Sequence, residues 1–158
     1  MKAIFPGSFD PFTLGHESLV RRGLNLFSEI VVAVGKNSTK TNQFDIEQRA
    51  AWIRQVFKDE PGVSVVIYEG LTIHFCQSQG ARFILRGLRN SSDFGFERGI
   101  GQVNKAMAPE IETVFILSLP EHTAVSSTII RDIFRNGGDV RPFVPEAVAE
   151  GIYHTQPK

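Results

Sequence analysis

The chain has 158 residues, 17 basic and 17 acidic, with 42% hydrophobic residues. That length suits one domain, residues 1–158, burying about two thirds of its unfolded surface, and the charge balance argues against a dedicated nucleic-acid partner. The single cysteine, Cys76, excludes an internal disulfide or a cysteine cluster, and the lack of a membrane-length apolar run or a signal segment predicts a cytoplasmic, membrane-free protein.

A first strand is predicted over Lys2–Phe5. Gly7-Ser8-Phe9-Asp10-Pro11-Phe12-Thr13-Leu14-Gly15-His16 follows, and an amphipathic helix runs from Glu17 to Phe27. Strand, glycine-containing turn and helix N-terminus in that order make an anion site, because the first helical N–H groups are unpaired and the macrodipole is positive there. Gly7 and Gly15 let the backbone approach a ligand. Ser8 and His16 add side-chain donors, and a phosphate chain is the natural ligand. Neither a Walker A loop nor a dinucleotide fingerprint is present.

A second strand, Ile30–Val34, leads into the polar loop Gly35–Lys40, with Lys36 and Lys40 as its cations. The next helix, Ile46–Phe57, carries a capping box of Asp45 and Gln48. A third strand, Val63–Tyr68, precedes a helix over Thr72–Gln79 that Gly80 closes. Within that helix His74 reads as packing or the wall of a substrate tunnel, and Cys76 as core or wall rather than nucleophile. A fourth strand, Phe83–Leu85, is followed by Arg86-Gly87-Leu88-Arg89, where two guanidinium forks match phosphate oxygens. The helix over Asp93–Met107 contains Gly95, Gly99 and Gly101. Each weakens it by about 1 kcal/mol relative to alanine, which predicts close packing against the sheet, a ligand or another subunit.

After a fifth strand, Thr113–Leu117, comes a loop with His122, which could flank a base. The helix Ser127–Phe134 opens with Ser126, Ser127 and Thr128, as caps and as holders of a triphosphate. The last helix, Pro145–Tyr153, has proline at its first position, and His154 falls in the tail. Short β-branched strands alternating with helices predict an α/β fold: a Rossmann-like, doubly wound, five-stranded parallel sheet with right-handed crossovers and C-terminal helices. With strand order 3-2-1-4-5, the switch point lies between strands one and four, and the two richest polar clusters follow those strands.

Thr13-Leu14-Gly15-His16 resembles the T-x-G-H signature of the nucleotidyltransferase superfamily. Within it the whole chain resembles the phosphopantetheine adenylyltransferase family, from Pro6-Gly7-Ser8-Phe9-Asp10-Pro11 to the C-terminal helix. Further matches are Ser38-Thr39-Lys40, Arg86-Gly87-Leu88-Arg89 and Val125-Ser126-Ser127-Thr128. The resemblance implies transfer of AMP from ATP to 4′-phosphopantetheine, giving dephospho-CoA and pyrophosphate, the penultimate step of coenzyme A biosynthesis. It implies His16, Lys40 and Arg86 as catalytic residues. ATP would meet Ser8, Phe9, His16, Gly87, Leu88, Arg89, Glu97, His122, Thr123, Ala124, Val125, Ser126, Ser127 and Thr128. The acceptor would meet Ser8, Lys40, Thr72 and Arg86. It further implies Mg2+ held through phosphate oxygens without protein ligands, dephospho-CoA or CoA in the same site, and a homohexamer.

The chain departs from common members of that family in several places. Ser8 stands for Thr, Phe5 and Phe96 for Tyr, His122 for an adenine-flanking Trp, and Asn42 for Pro. None removes a charged position. Two alternatives remain: a nucleotidyltransferase for another phosphate acceptor, such as nicotinamide mononucleotide or glycerol phosphate, and a non-catalytic nucleotide sensor. Arg86–Arg89 argues against the first. The presence of His16, Lys40 and Arg86 argues against the second.

Overall fold

The computed structural model of the chain describes residues 1–37, 39 and 41–154. Strand β1 (Lys2–Gly7), helix α1 (Leu14–Gly23), β2 (Glu29–Lys36), α2 (Ile46–Val56), β3 (Val63–Glu69), α3 (Thr72–Ser78), β4 (Phe83–Leu88), α4 (Ser91–Met107) and β5 (Glu112–Leu117) alternate along the chain, and α5 (Ser127–Arg135) and α6 (Glu146–His154) follow. The five strands form one parallel sheet, as the alternation predicts, in the expected order β3-β2-β1-β4-β5. Among the described residues no helix is long and apolar enough to cross a membrane.

The central strands β1 and β2 are buried on both faces, so their side chains alternate between two apolar layers. Ala3 and Phe5 of β1 pack with Val32 and Val34 of β2, Leu19 and Val20 of α1, Ile53 of α2, Ile130 of α5 and Val148 of α6. Ile4 points the other way, into a layer with Val31, Ala33, Ile84, Ile73 and Cys76 of α3, and Ala108 and Ile111 beyond α4.

Several boundaries differ from the expectation for stated reasons. Helix α1 begins at Leu14, not Glu17, because Thr13 is its N-cap and His16 completes a capping box from the third helical position. It ends at Gly23, where the N–H groups of Leu26 and Phe27 both turn back to the Gly23 carbonyl. Strand β4 runs on to Leu88, so Arg86-Gly87-Leu88 lies inside the strand, opposite Phe115, Ile116 and Leu117 of β5. A parallel ladder is built from backbone groups and continues through polar side chains. The Asp45–Gln48 capping box of α2 is present, Gly80 takes φ +61° after α3, and Pro145 directly precedes α6.

Of the α4 glycines, only Gly101 faces the sheet: a Cβ there would lie 3.3 Å from Thr113 Oγ1, whereas one at Gly95 or Gly99 would meet nothing within 4 Å. Phe96, Ile100, Val103 and Met107 form an exposed apolar stripe on the same helix.

Candidate functional site

The loop from Gly7 to Thr13 is held by its own aromatic rings. Phe9 takes φ +48°, a left-handed conformation that costs roughly 1–2 kcal/mol for a residue with a Cβ. Its buried ring sits 5.3 Å from Phe5, 5.3 Å from Phe12 and 5.1 Å from His16, centroid to centroid, and that burial offsets the cost. Gly7 is required beside it, because a Cβ there would come within 2.7 Å of the Phe9 ring.

A buried polar frame surrounds the loop. Both carboxylate oxygens of Asp10 accept backbone N–H groups, from Gln43 at 2.8 Å and Phe44 at 3.0 Å. Arg49 of α2, almost fully buried, donates to the Phe44 carbonyl at 3.0 Å and to the Ser8 carbonyl. Burial pulls its pKa down, with Asp10 and Asp45 acting in the opposite sense. Arg131 of α5 donates to the Asp10 carbonyl at 2.7 Å, and Ser127 Oγ donates to the Pro11 carbonyl at 2.8 Å. The sequence analysis missed Asp10, Arg49 and Arg131. A signal existed for Arg49, an arginine on the apolar stripe Ile46, Ala50, Ile53 of α2.

His16 Nδ1 accepts the Thr13 backbone N–H at 3.0 Å, while His16 N–H donates to Thr13 Oγ1 at 3.2 Å. Nδ1 therefore carries no proton, and the neutral ring presents Nε2–H as a donor. Desolvation among the aromatic rings, reinforced by Arg86 and Arg89, lowers the His16 pKa to about 3. The imidazole is an uncharged donor throughout the neutral range.

Arg86, on β4, donates Nε to Glu97 at 2.8 Å, Nη2 to the second oxygen of Glu97, and Nη1 to the Pro6 carbonyl at 2.8 Å. Glu97, on α4, is buried. Arg89 makes a parallel pair with Asp93 at 3.0 Å, and its hydrogen bonds hold the Asp93 carboxyl below the usual range.

Among the described residues, two cavities that share a wall open at the C-terminal edge of the sheet. One, of about 320 Å³, is lined by Phe5, Ser8, Phe9, Thr13, Gly15, His16, Gly87, Arg89, His122, Val125, Ser126 and Ser127, among others. The other, of about 610 Å³, is lined by Lys36, Asn37, Tyr68, Thr72, Ile100, Gly101 and Asn104, among others. Pro6, Gly7, Ser8, Arg86 and Glu97 belong to both and form the wall where they meet. Beside it, the hydroxyls of Tyr68 and Thr72 lie 2.8 Å apart.

The fold thus gathers most of the expected site residues. Thr72 joins Ser8 and Arg86 around the larger cavity; Ser8, Phe9, His16, Gly87, Arg89, Glu97, His122, Val125, Ser126 and Ser127 surround the smaller. Leu88, Thr123, Ala124 and Thr128 line neither. Leu88 is buried, Thr123 Oγ1 donates to the Pro120 carbonyl, and Thr128 Oγ1 accepts from Arg131. Ser38 and Lys40 lie outside the described residues. His74 is exposed on α3 and lines neither cavity, so it is neither packing nor wall, because its side of α3 faces away from the sheet. Cys76 is core only, and burial pushes its thiol up to about 11. Asn37, Tyr68, Ile100 and Asn104 were not foreseen. Tyr68 and Asn37 stand at strand ends, and Ile100 and Asn104 fall one turn apart on α4.

Residues 4–133 match the family model described as Cytidylyltransferase-like. The chain is 53% identical over 147 residues to a phosphopantetheine adenylyltransferase of Flavobacterium psychrophilum, covering 93% of this chain and 97% of that protein. It is 45% identical over 147 residues to the protein of that name from Bacteroides thetaiotaomicron, covering 93% and 97%. Over 150 residues it is 45% identical to the one from Leptospira biflexa, covering 95% and 94%.

Proposed function

The chain belongs to the cytidylyltransferase-like family and, within it, to the phosphopantetheine adenylyltransferases, and from that premise we infer that it transfers AMP from ATP to 4′-phosphopantetheine, yielding dephospho-CoA and pyrophosphate in coenzyme A biosynthesis. One observation carries the assignment of roles: two cavities meet at a wall of Pro6–Ser8, Arg86 and Glu97, with the His16 donor beside it. The smaller takes the nucleotide and the larger the acceptor. A cavity of about 610 Å³ with Tyr68 and Ile100 among its lining residues suits a pantetheine arm better than glycerol phosphate.

The acceptor is a phosphate monoester whose second pKa is about 6. It is ionised at neutral pH and needs no general base. One of its oxygens attacks the α-phosphorus of ATP, and the bond to the β-phosphate oxygen breaks, so pyrophosphate leaves with the electron pair. Catalysis is positioning and charge stabilisation. His16 Nε2–H donates to the α-phosphoryl oxygen on which negative charge grows. Lys40 and Arg86 hold the acceptor phosphate, and Thr72 lines its arm. The N-terminus of α5 with Ser126, Ser127 and Thr128 holds the triphosphate, aided by Ser8 and Arg89. Gly87, Leu88 and the segment His122–Val125 flank the nucleoside, with Leu88, Thr123 and Ala124 acting through backbone groups.

Magnesium belongs to this reading as a proposed cofactor, and when bound it would supply positive charge to neutralise the pyrophosphate. The carboxylates on the shared and smaller walls, Glu97 and Asp93, are engaged by Arg86 and Arg89. That donor set fits a cation carried on phosphate oxygens and water. A homohexamer also belongs to it, supported by the exposed stripe Phe96, Ile100, Val103 and Met107 and by the open faces of Gly95 and Gly99. Light scattering tests the assembly, and Val103→Asp is expected to dissociate it.

Incubating the protein with ATP, magnesium and 4′-phosphopantetheine and measuring pyrophosphate tests the activity. Nicotinamide mononucleotide and glycerol phosphate serve as rival acceptors. Turnover confined to 4′-phosphopantetheine is expected; preference for a rival would overturn the assignment.

A further inference from the structure

We propose that Asp10 is a positioning residue that fixes the acceptor's phosphate against the nucleotide's, by tying the segment between β2 and α2 to the loop after β1; this rests on the functional reading above. The segment starts with Lys36 and Asn37 on the wall of the larger cavity. It ends at Gln43 and Phe44, whose backbone N–H groups both donate to the Asp10 carboxylate. Asp10 is 3% exposed, so the attachment is made away from water, where a hydrogen bond to a charged acceptor is strong.

The same residue reaches the nucleotide side. Its carbonyl accepts from Arg131 of α5, the helix whose first residue, Ser127, lines the smaller cavity with Ser126. Arg135, one turn further along α5, donates to the Gln43 side chain at 2.7 Å. The two cavities are therefore braced across Asp10 by bonds on either side of it. The two sets of bonds are chemically separable. Ser8, Asp10 and Pro11 are held towards α2 and α5 through backbone carbonyls, by Arg49, Arg131 and Ser127. A change of the Asp10 side chain leaves those bonds in place. Only the bonds to Gln43 and Phe44 are made by the carboxylate, whose charge also supports that of Arg49 together with Asp45.

Asp10→Asn tests this. Asparagine offers one acceptor oxygen and turns its amide –NH2 towards the other N–H, so the anchor loosens with little change of volume. Calorimetry and steady-state kinetics on the full-length variant should show KM and Kd for 4′-phosphopantetheine raised about tenfold or more. Kd for ATP should stay within about twofold, and amide exchange at Gln43 and Phe44 should be faster. Equal weakening of both ligands, or unchanged acceptor binding, would overturn the proposal. Arg135→Ala covers the case in which Asp10→Asn does not fold: it is exposed and breaks only the brace to Gln43. Acceptor KM is expected to rise a few-fold at constant ATP affinity, and no change there would also overturn the proposal. Parent protein inactive on 4′-phosphopantetheine would instead sink the functional reading, which separates the two failures.

Discussion

Thr13 donates its backbone N–H to Nδ1 of His16 at 3.0 Å, and so decides which ring nitrogen carries the proton. A capping box that starts α1 also loads a donor into the smaller cavity. The same four residues are a structural cap and a chemical device, and the two roles share one hydrogen bond.

His16→Ala removes that donor. Its contribution lies mainly in the transition state, so turnover is expected to fall roughly 10²–10³-fold. ATP affinity should fall much less, because backbone amides and Ser126–Thr128 remain. Rapid-quench turnover and ATP calorimetry check this, with circular dichroism to confirm folding. Near-normal turnover with lost ATP binding would reduce His16 to a binding residue.

The depressed His16 pKa has a consequence for stability. The ring titrates near 6.5 when unfolded and at about 3 when folded. Below pH 6.5 the unfolded state therefore binds a proton that the folded state does not. The contribution is complete above about 6.5 and is lost as pH falls towards 3. In His16→Gln this slope should be missing. Denaturant titrations at pH 7 and pH 5 are expected to show the parent losing more stability on acidification than the variant.

Arg86→Ala and Lys40→Ala should weaken acceptor binding more than ATP binding. Removing one charged hydrogen-bond donor costs about 1.5–3 kcal/mol. Arg86→Ala should also lower the unfolding midpoint, since Glu97 is 8% exposed and loses both of its guanidinium bonds. Calorimetry of each variant with each ligand decides it; equal losses for the two ligands would refute the assignment.

Gly87 lies so close to α1 that an added Cβ would sit 2.3 Å from Leu19 Cδ1. Gly87→Ala is expected to cost about 1–3 kcal/mol through overpacking. Leu19→Ala opens space at the same point. The double variant should be less destabilised than the sum of the two single ones, and strict additivity in urea unfolding would count against the contact.

Cys76→Ser should leave turnover within a few-fold of the parent. Its thiol is buried and pushed up to about 11, far from a reactive thiolate. Inactivation of the parent by a small thiol reagent without unfolding would contradict this.

The architecture was legible because apolar strand runs and helical periodicity alternate without interruption, and with the expected strand order 3-2-1-4-5 the richest polar clusters fall at the switch point. Strand ends were less so: β4 was expected to stop at Leu85, where the apolar run stops, yet its ladder continues to Leu88. Motif residues such as Ser8, His16 and Arg86, which line the cavities, were singled out because their chemistry is conspicuous. Asp10 and Arg131 were not, because their role depends on partners 33 to 121 positions away along the chain, and no local pattern encodes that; Arg49 was passed over although it interrupts the apolar stripe of α2. Tyr68 and Asn104 escaped for the same reason: each becomes a wall only when another element comes opposite.

The wall shared by the two cavities has one more consequence. On the roles proposed above, a molecule that carries both halves, nucleotide and pantetheine arm, would occupy both sides at once, with its bridging phosphates at Arg86. Such a ligand surrenders its translational freedom a single time, so its second half binds at an effective concentration far above that of a free fragment. Short tethers that keep this span turn two weak binders into a tight one, and a tether a few ångströms too long or too stiff forfeits the gain.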